Sequence, residues 1–187
     1  MRRRVSHVGR VRGRRQASAG LCFLGVVSAA GVVQAQDATP TDAGTVSLNH
    51  MGLCVSDLAA SLAFYRDVAG FTVQSGPSKL GGEWFDTLTW NEGAEIEVAM
   101  LELDGFTIQL VQYHAAGDDP APTGHNHVGN PHLCINVVDV EGKHAAVVAT
   151  GEHRPTAIVD IAGTGYRSFY VDDPDGTPVE FLQAPPS

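Results

Sequence analysis

Basic residues are scarce in most of this chain. Of the 12 Lys and Arg among 187 residues, seven (Arg2, Arg3, Arg4, Arg10, Arg12, Arg14 and Arg15) fall within residues 1–35. That leaves five against all 21 acids from residue 36 onward. A body that acidic repels phosphate backbones and anionic lipid heads, which excludes nucleic acid and membrane surfaces as partners. Cysteine is also rare: Cys22 lies in the N-terminal stretch, so only Cys54 and Cys134 remain in the body. The two could pair in an oxidising compartment, but their spacing does not show it, and the simpler role is that of small buried hydrophobes. With hydrophobic residues at 43% and charged residues at 18%, a wholly disordered chain is excluded as well. Small-molecule chemistry or protein contacts remain, in one domain of ordinary size.

The first 35 residues have the composition of a signal peptide. An arginine-rich stretch precedes the uncharged run Ala17 to Val33, whose apolar centre is Leu21 to Val27, and Val33-Gln34-Ala35 offers small residues where a signal peptidase reads. Cleavage after about Ala35 is expected, giving a periplasmic or secreted protein that keeps no membrane contact after cleavage. The run is too short and too glycine-diluted to favour a membrane anchor. Arg14-Arg15 makes the twin-arginine route possible. Residues 36–46 are small and polar, a linker.

From residue 47 the chain says the same thing twice. His50-Met51-Gly52-Leu53-Cys54-Val55-Ser56-Asp57 resembles His132-Leu133-Cys134-Ile135-Asn136-Val137-Val138-Asp139: a histidine opens an alternating strand, and an aspartate caps a helix. The first helix is expected over Leu58–Val68, ended by Gly70, and the second over Val140–Thr150, ended by Gly151. The segment Leu103 to Gln112 aligns without gaps on Pro174 to Gln183, each an Asp-Gly turn running into a strand. Two further strands fit between helix and last strand in each half: Phe71–Gln74 and Glu95–Leu103, then Thr156–Ile161 and Arg167–Val171. The prediction is an α+β fold of two tandem βαβββ modules, about 47–113 and 131–184, joined by the loop 114–130 within a domain over 47–187.

Strand alternation puts His50 and Gln109 on the face away from the first helix, and His132 and Glu180 on the matching face of the second half. Polar residues at equivalent positions of both repeats would be costly to bury without partners. If the halves curve together, two imidazoles and a carboxylate make a facial triad for a divalent metal, with Gln109 as a fourth, neutral oxygen ligand.

The run His50…Val55-Ser56-Asp57-Leu58…Phe64-Tyr65, together with Phe169-Tyr170-Val171-Asp172-Asp173-Pro174-Asp175-Gly176…Glu180, resembles the vicinal oxygen chelate superfamily. That group includes glyoxalase I, methylmalonyl-CoA epimerase, extradiol dioxygenases, and fosfomycin and bleomycin resistance proteins. The resemblance covers roughly residues 46–184. It implies a half-open barrel around a metal held by His50, Gln109, His132 and Glu180, and bidentate chelation of a small oxygen-rich substrate. Gln109 cannot serve as a base, which departs from glyoxalase I-like members. The His/Gln/His/Glu set is closer to the epimerases, yet five basic residues offer little for the phosphates of a CoA ester. Extradiol dioxygenases use two histidines and a glutamate for Fe(II), and their aromatic-Tyr-x-x-acidic-Pro-x-Gly run matches Phe169 to Gly176. Tyr170 would then hydrogen-bond an anionic substrate oxygen, or merely pack. The signature's upstream histidine is absent, Ile161-Ala162-Gly163 standing in its window.

Among the joint's histidines, His114, His125 and His127, the expected proton shuttle is His127. Asp118-Asp119 and Asp172-Asp173 read as turn residues. Trp84, Phe85 and Trp90 either line the cleft or pack beside it. The expected activity is therefore extradiol-type dioxygenation by an exported Fe(II) enzyme. The alternatives are a glyoxalase-like lyase or epimerase-like isomerase using Mn, Ni, Co or Zn, or a metal-free ligand-binding protein. The resemblance also makes a homodimer possible.

Overall fold

The computed structural model describes residues 46–115 and 124–186; the expected signal peptide and Asp118-Asp119 lie outside them. The first module runs β1 (Met51–Cys54), α1 (Leu58–Ala63) continuing directly into a π-helical turn (Phe64–Ala69), β2 (Thr72–Gly81), α2 (Glu83–Thr89), β3 (Glu95–Leu103) and β4 (Phe106–Tyr113). The second runs β5 (Leu133–Asn136), α3 (Val140–Thr150), β6 (Val159–Asp160), β7 (Arg167–Asp172) and β8 (Pro178–Gln183). Each module forms one open four-stranded sheet, ordered β1-β4-β3-β2 and β5-β8-β7-β6. In both, the first strand pairs parallel with the last and the other pairs are antiparallel. The fold is α+β, built of two βαβββ units.

Capping makes the helix starts alike. Asp57 accepts from the amides of Ala59 and Ala60 at 2.9 and 3.0 Å, and Asp139 accepts from Gly142 at 2.9 Å, satisfying amides that a helix start leaves without partners. A second device repeats too. Gln112 at the end of β4 accepts from Leu58 N at 2.9 Å, and Gln183 at the end of β8 accepts from Val140 N at 2.7 Å. Each last strand therefore ties the helix that follows its parallel neighbour.

One apolar core lies between the helices and the inner faces of both sheets. Leu53, Phe64, Leu101, Ile108 and Leu110 of the first module share it with Val140, Phe169, Val179 and Phe181 of the second. Polar contacts reinforce that joint. Tyr65, wholly buried, donates its hydroxyl to Asp173 Oδ2 at 2.9 Å, and Ser56 N donates to Asp175 Oδ2 at 3.0 Å. Lys143 reaches across to the Val68 carbonyl while its ammonium sits 4.8 Å from the Phe181 ring centroid. No helix among the described residues is long and apolar enough to cross a membrane.

The second strand runs on to Gly81 instead of stopping at Gln74, and α2 was not foreseen. The stretch Gln74-Ser75-Gly76-Pro77-Ser78 lacks the apolar alternation by which a strand is read. It is nonetheless held as an exposed edge strand by pairing with β3, which absorbs the irregularity as register shifts between Val73 and Ser78. Gly76 is required there, since a Cβ would meet the Val98 carbonyl oxygen at 2.5 Å. The strand expected over Thr156–Ile161 forms a regular ladder at Val159–Asp160, with Thr156 N and Ile161 N bonding the Tyr170 and Tyr166 carbonyls on either side.

Candidate functional site

The outer face of the second sheet gathers the polar residues. Register aligns Cys134 of β5 with Glu180 of β8, and Glu180 with Tyr170 of β7, so their side chains form one row across the sheet. Ser168, two residues before Tyr170, shares the face. Glu180 is the centre. Its Oε1 accepts from Ser168 Oγ at 2.6 Å and its Oε2 from Tyr170 Oη at 3.0 Å. His132 Nε2 lies 3.7 Å from the same Oε2. Burial alone would raise the carboxyl pKa. Hydrogen bonds from Ser168, Tyr170 and Cys134, with the His132 charge, overcome that and hold it below the ordinary carboxylate value. The cost falls on the donors. Burial and the bond to Glu180 push the Tyr170 phenol up to about 12. Burial and the neighbouring carboxylate push the Cys134 thiol up to about 11.

His125 stands over this row. Its ring packs edge-on to Tyr170 with centroids 4.9 Å apart, and its Nε2 lies 3.2 Å from Asp172 Oδ1. The ring of His132 approaches Tyr170 from another side, at 5.9 Å. His127 is engaged elsewhere, its Nδ1 accepting from Gly124 N at 3.1 Å within its own turn. His114 leaves the row altogether, its amide bonding the Glu95 carbonyl beside β3. Sequence alternation could have found Ser168, which lies two residues before Tyr170 on the same strand face. Nothing in the sequence distinguishes His125 from His127, because the turn at Gly124 decides which ring faces the sheet.

The first module contributes less. Its matching row is Gly52, Gln109 and Met100, set by the same register. His50 lies just before β1, exposed, its Nδ1 2.6 Å from Asn49 Oδ1. Among the described residues no three His, Cys, Asp or Glu side chains are gathered as a metal would need. The imidazole and carboxylate of the second module suit a divalent ion in donor chemistry. His50, held by no strand ladder, is not with them. Cys54 and Cys134 are free and exposed rather than buried, because both fall on the strand face turned away from the core. Phe85 packs against Ile96, Val98 and Val111 on the outer face of the first sheet, whereas Trp84 and Trp90 are exposed.

The sequence matches the Glyoxalase/Bleomycin resistance protein/Dioxygenase superfamily over residues 47–181. The chain belongs to that superfamily. It is similar to the uncharacterized protein YwbC of Bacillus subtilis, 28% identical over 139 residues that cover 73% of this chain and 96% of YwbC. It is also similar to the uncharacterized protein YaeR of Escherichia coli, 27% identical over 141 residues, or 75% and 98% of the two chains. Among solved structures, a glyoxalase family protein from Bacillus cereus aligns at a TM-score of 0.66 and 17% identity, covering 79% of this chain and all of that one. A mutant of the fosfomycin resistance protein FosX from Listeria monocytogenes, complexed with Mn(II) and 1S,2S-dihydroxypropylphosphonic acid, aligns at 0.55 and 17%, covering 75% and 94%. At these identities the solved structures establish the fold of this superfamily member and not its chemistry.

Proposed function

We propose that this superfamily member is an exported, divalent-metal-dependent enzyme acting on a small molecule with two adjacent oxygens, and that extradiol-type ring cleavage is the reaction its residues serve best. The carrying observation is the Glu180 row. A carboxylate kept ionised by Ser168 and Tyr170, with His132 beside it, is a pair of metal ligands with their supporting hydrogen bonds already in place. His132 and Glu180 would hold the ion, with His50 and Gln109 completing the set; a bound ion would supply Lewis-acid activation or a site for dioxygen. The chain's own residues do the rest. Tyr170, protonated at any physiological pH, turns its one hydroxyl proton from Glu180 to an anionic substrate oxygen when substrate is bound. His125, oriented by Asp172 and lying against Tyr170, is placed to take up or return a substrate proton, the role expected of His127.

One observation favours a metal-free binding protein instead, namely the separation of His50 from the His132–Glu180 pair. The two alternatives part cleanly on metal content. The full-length gene is expressed, and the exported protein is purified without oxygen beside His132→Ala and Glu180→Gln; mass spectrometry of the intact chain then reads bound metal and the N-terminus. Stoichiometric iron lost in both variants, on a chain beginning at Gln36, is the expected result, with oxygen uptake on catechols to follow. Manganese, nickel, cobalt or zinc would move the assignment to lyase or isomerase chemistry. A chain that takes up no metal on reconstitution would overturn the enzyme.

A further inference from the structure

A crevice lies beside the Glu180 row, between the modules. It measures about 450 Å³ and is walled by Met51, Phe71, Leu103 and Phe106 of the first module and by Leu133 to Asn136 of β5. That is the size of a site for a small organic ligand. Strand β5 is the edge of its sheet, so side chains from both of its faces reach the crevice. Leu133 and Ile135 add apolar wall, while His132, Cys134 and Asn136 add a polar end.

Among the described residues its one carboxylate is Asp104, and no Lys or Arg lines it. Asp104 and Gly105 form the two-residue turn between β3 and β4, both with positive φ, at 51° and 80°, so the carboxylate is carried on a fixed hairpin tip. The neighbouring Glu102 carboxylate is engaged with the Gly105 amide. Phe106, two residues on, is 44% exposed, leaving an aromatic ring accessible beside the charge.

We propose that this crevice binds a small organic cation with an apolar body, Asp104 answering the charge and the apolar wall the body. Three features carry it: an apolar wall that would otherwise face water, a single carboxylate with no Lys or Arg among the described residues that line the crevice, and an accessible aromatic ring next to it, which favours cations further. The strongly acidic body adds a long-range field of the same sign. An anionic ligand, such as the phosphonate bound by FosX, would meet Asp104 and find no Lys or Arg among the described residues of this crevice.

The test uses the isotope-labelled protein at low salt, with three probes: benzyltrimethylammonium, benzyl alcohol and benzoate. Saturable amide shifts are expected on Leu103 to Phe106 and Leu133 to Asn136, with the cation binding about fivefold tighter than the alcohol and benzoate weakest. Asp104→Asn keeps a residue that tolerates left-handed backbone, so the hairpin survives. It should bring cation and alcohol to parity. Phe106→Ala, checked for native circular dichroism, should weaken both. Equal or tighter benzoate binding, an unchanged cation preference in Asp104→Asn, absence of saturable shifts, or shifts confined to Ile96, Val98 and Val111 would each overturn the proposal. The shifts are read without added metal, and those on Leu103 to Phe106 fall on a segment that holds none of the assigned metal ligands, so the result stands apart from the metal assignment above.

Discussion

Two rows of side chains, one per module, occupy the same positions of the same fold and do opposite things. In the second, Cys134, Glu180 and Tyr170 lie abreast with Ser168 behind, and three donors converge on one carboxylate. In the first, Gly52, Gln109 and Met100 lie abreast with Val98 behind. A Cβ built at Gly52 meets nothing within 4 Å, and Val98 is covered by Phe85. A duplicated scaffold therefore does not carry a duplicated site. The second module keeps an ionised carboxylate together with the groups that hold it ionised. The first keeps a neutral amide, needs no such groups, and has filled the space with apolar packing. A site residue and its supports change together, since a carboxylate without donors on a half-buried sheet face would be neutralised by protonation.

The sharpest way to erase that contrast is to give the second row the first row's chemistry. Ser168→Ala with Tyr170→Phe removes both oxygen donors and leaves the carbon framework in place. The Glu180 carboxyl should then titrate higher than in the parent, seen by carbon NMR of the side chain. Divalent-metal affinity should fall roughly 10- to 100-fold, the usual consequence of losing the groups that orient a ligand. The matched change in the first row, Met100→Leu, should leave metal affinity unaltered. An unchanged affinity in the double variant would mean that Glu180 is not a ligand.

The next effect lies at the joint between the modules. Tyr65 and Asp173 are both buried, and burial raises the pKa of each, with the Asp173 charge adding to the shift of Tyr65. Tyr65→Phe strands Asp173 Oδ2 without its donor and should cost about 2 kcal/mol in urea unfolding at neutral pH. The sign with pH follows from linkage. A folded-state pKa above the unfolded value of 10.0 means that only the unfolded chain releases the proton as pH passes that value. Parent stability should therefore fall above pH 10 from this residue, and the difference between parent and Tyr65→Phe should shrink there. A constant difference across that range would remove the hydroxyl from the joint.

That joint also shows what the sequence could and could not say. Phe64-Tyr65 and the run Asp172-Asp173-Pro174-Asp175-Gly176 carried the family resemblance. In the structure much of that run fastens the modules: Asp173 takes the Tyr65 hydroxyl as well as the amides of Asp175 and Thr177, and Asp175 takes the Ser56 amide. Reading Asp173 as a turn residue captured its local bonds and missed the longer one, because a turn motif does not encode what packs against it. Alternation, caps and the Asp-Gly turns were legible because they depend on neighbours one to four residues away. Strand β2 beyond Gln74, helix α2 and the choice of His125 over His127 were not, being set by an edge pairing, by Phe85 finding the outer sheet face, and by one tight turn at Gly124.

The smallest effect tests the half of the comparison in which the modules agree. Gln112 and Gln183 come from the ends of the two last strands and cap equivalent helices, at 2.9 and 2.7 Å. Each replaces water on an amide that the helix cannot satisfy itself. Gln112→Ala and Gln183→Ala should each lower stability by about 1 kcal/mol, in line with the loss of a helix cap. Because the scaffold is repeated, the two costs should match within a few tenths of a kcal/mol. Each glutamine lies three residues beyond its row's centre, Gln109 or Glu180, on the opposite strand face, so neither change should move metal affinity by as much as the Ser168 and Tyr170 pair. Unequal costs would show that the helices bear different loads, and that divergence between the modules has reached the frame as well as the site.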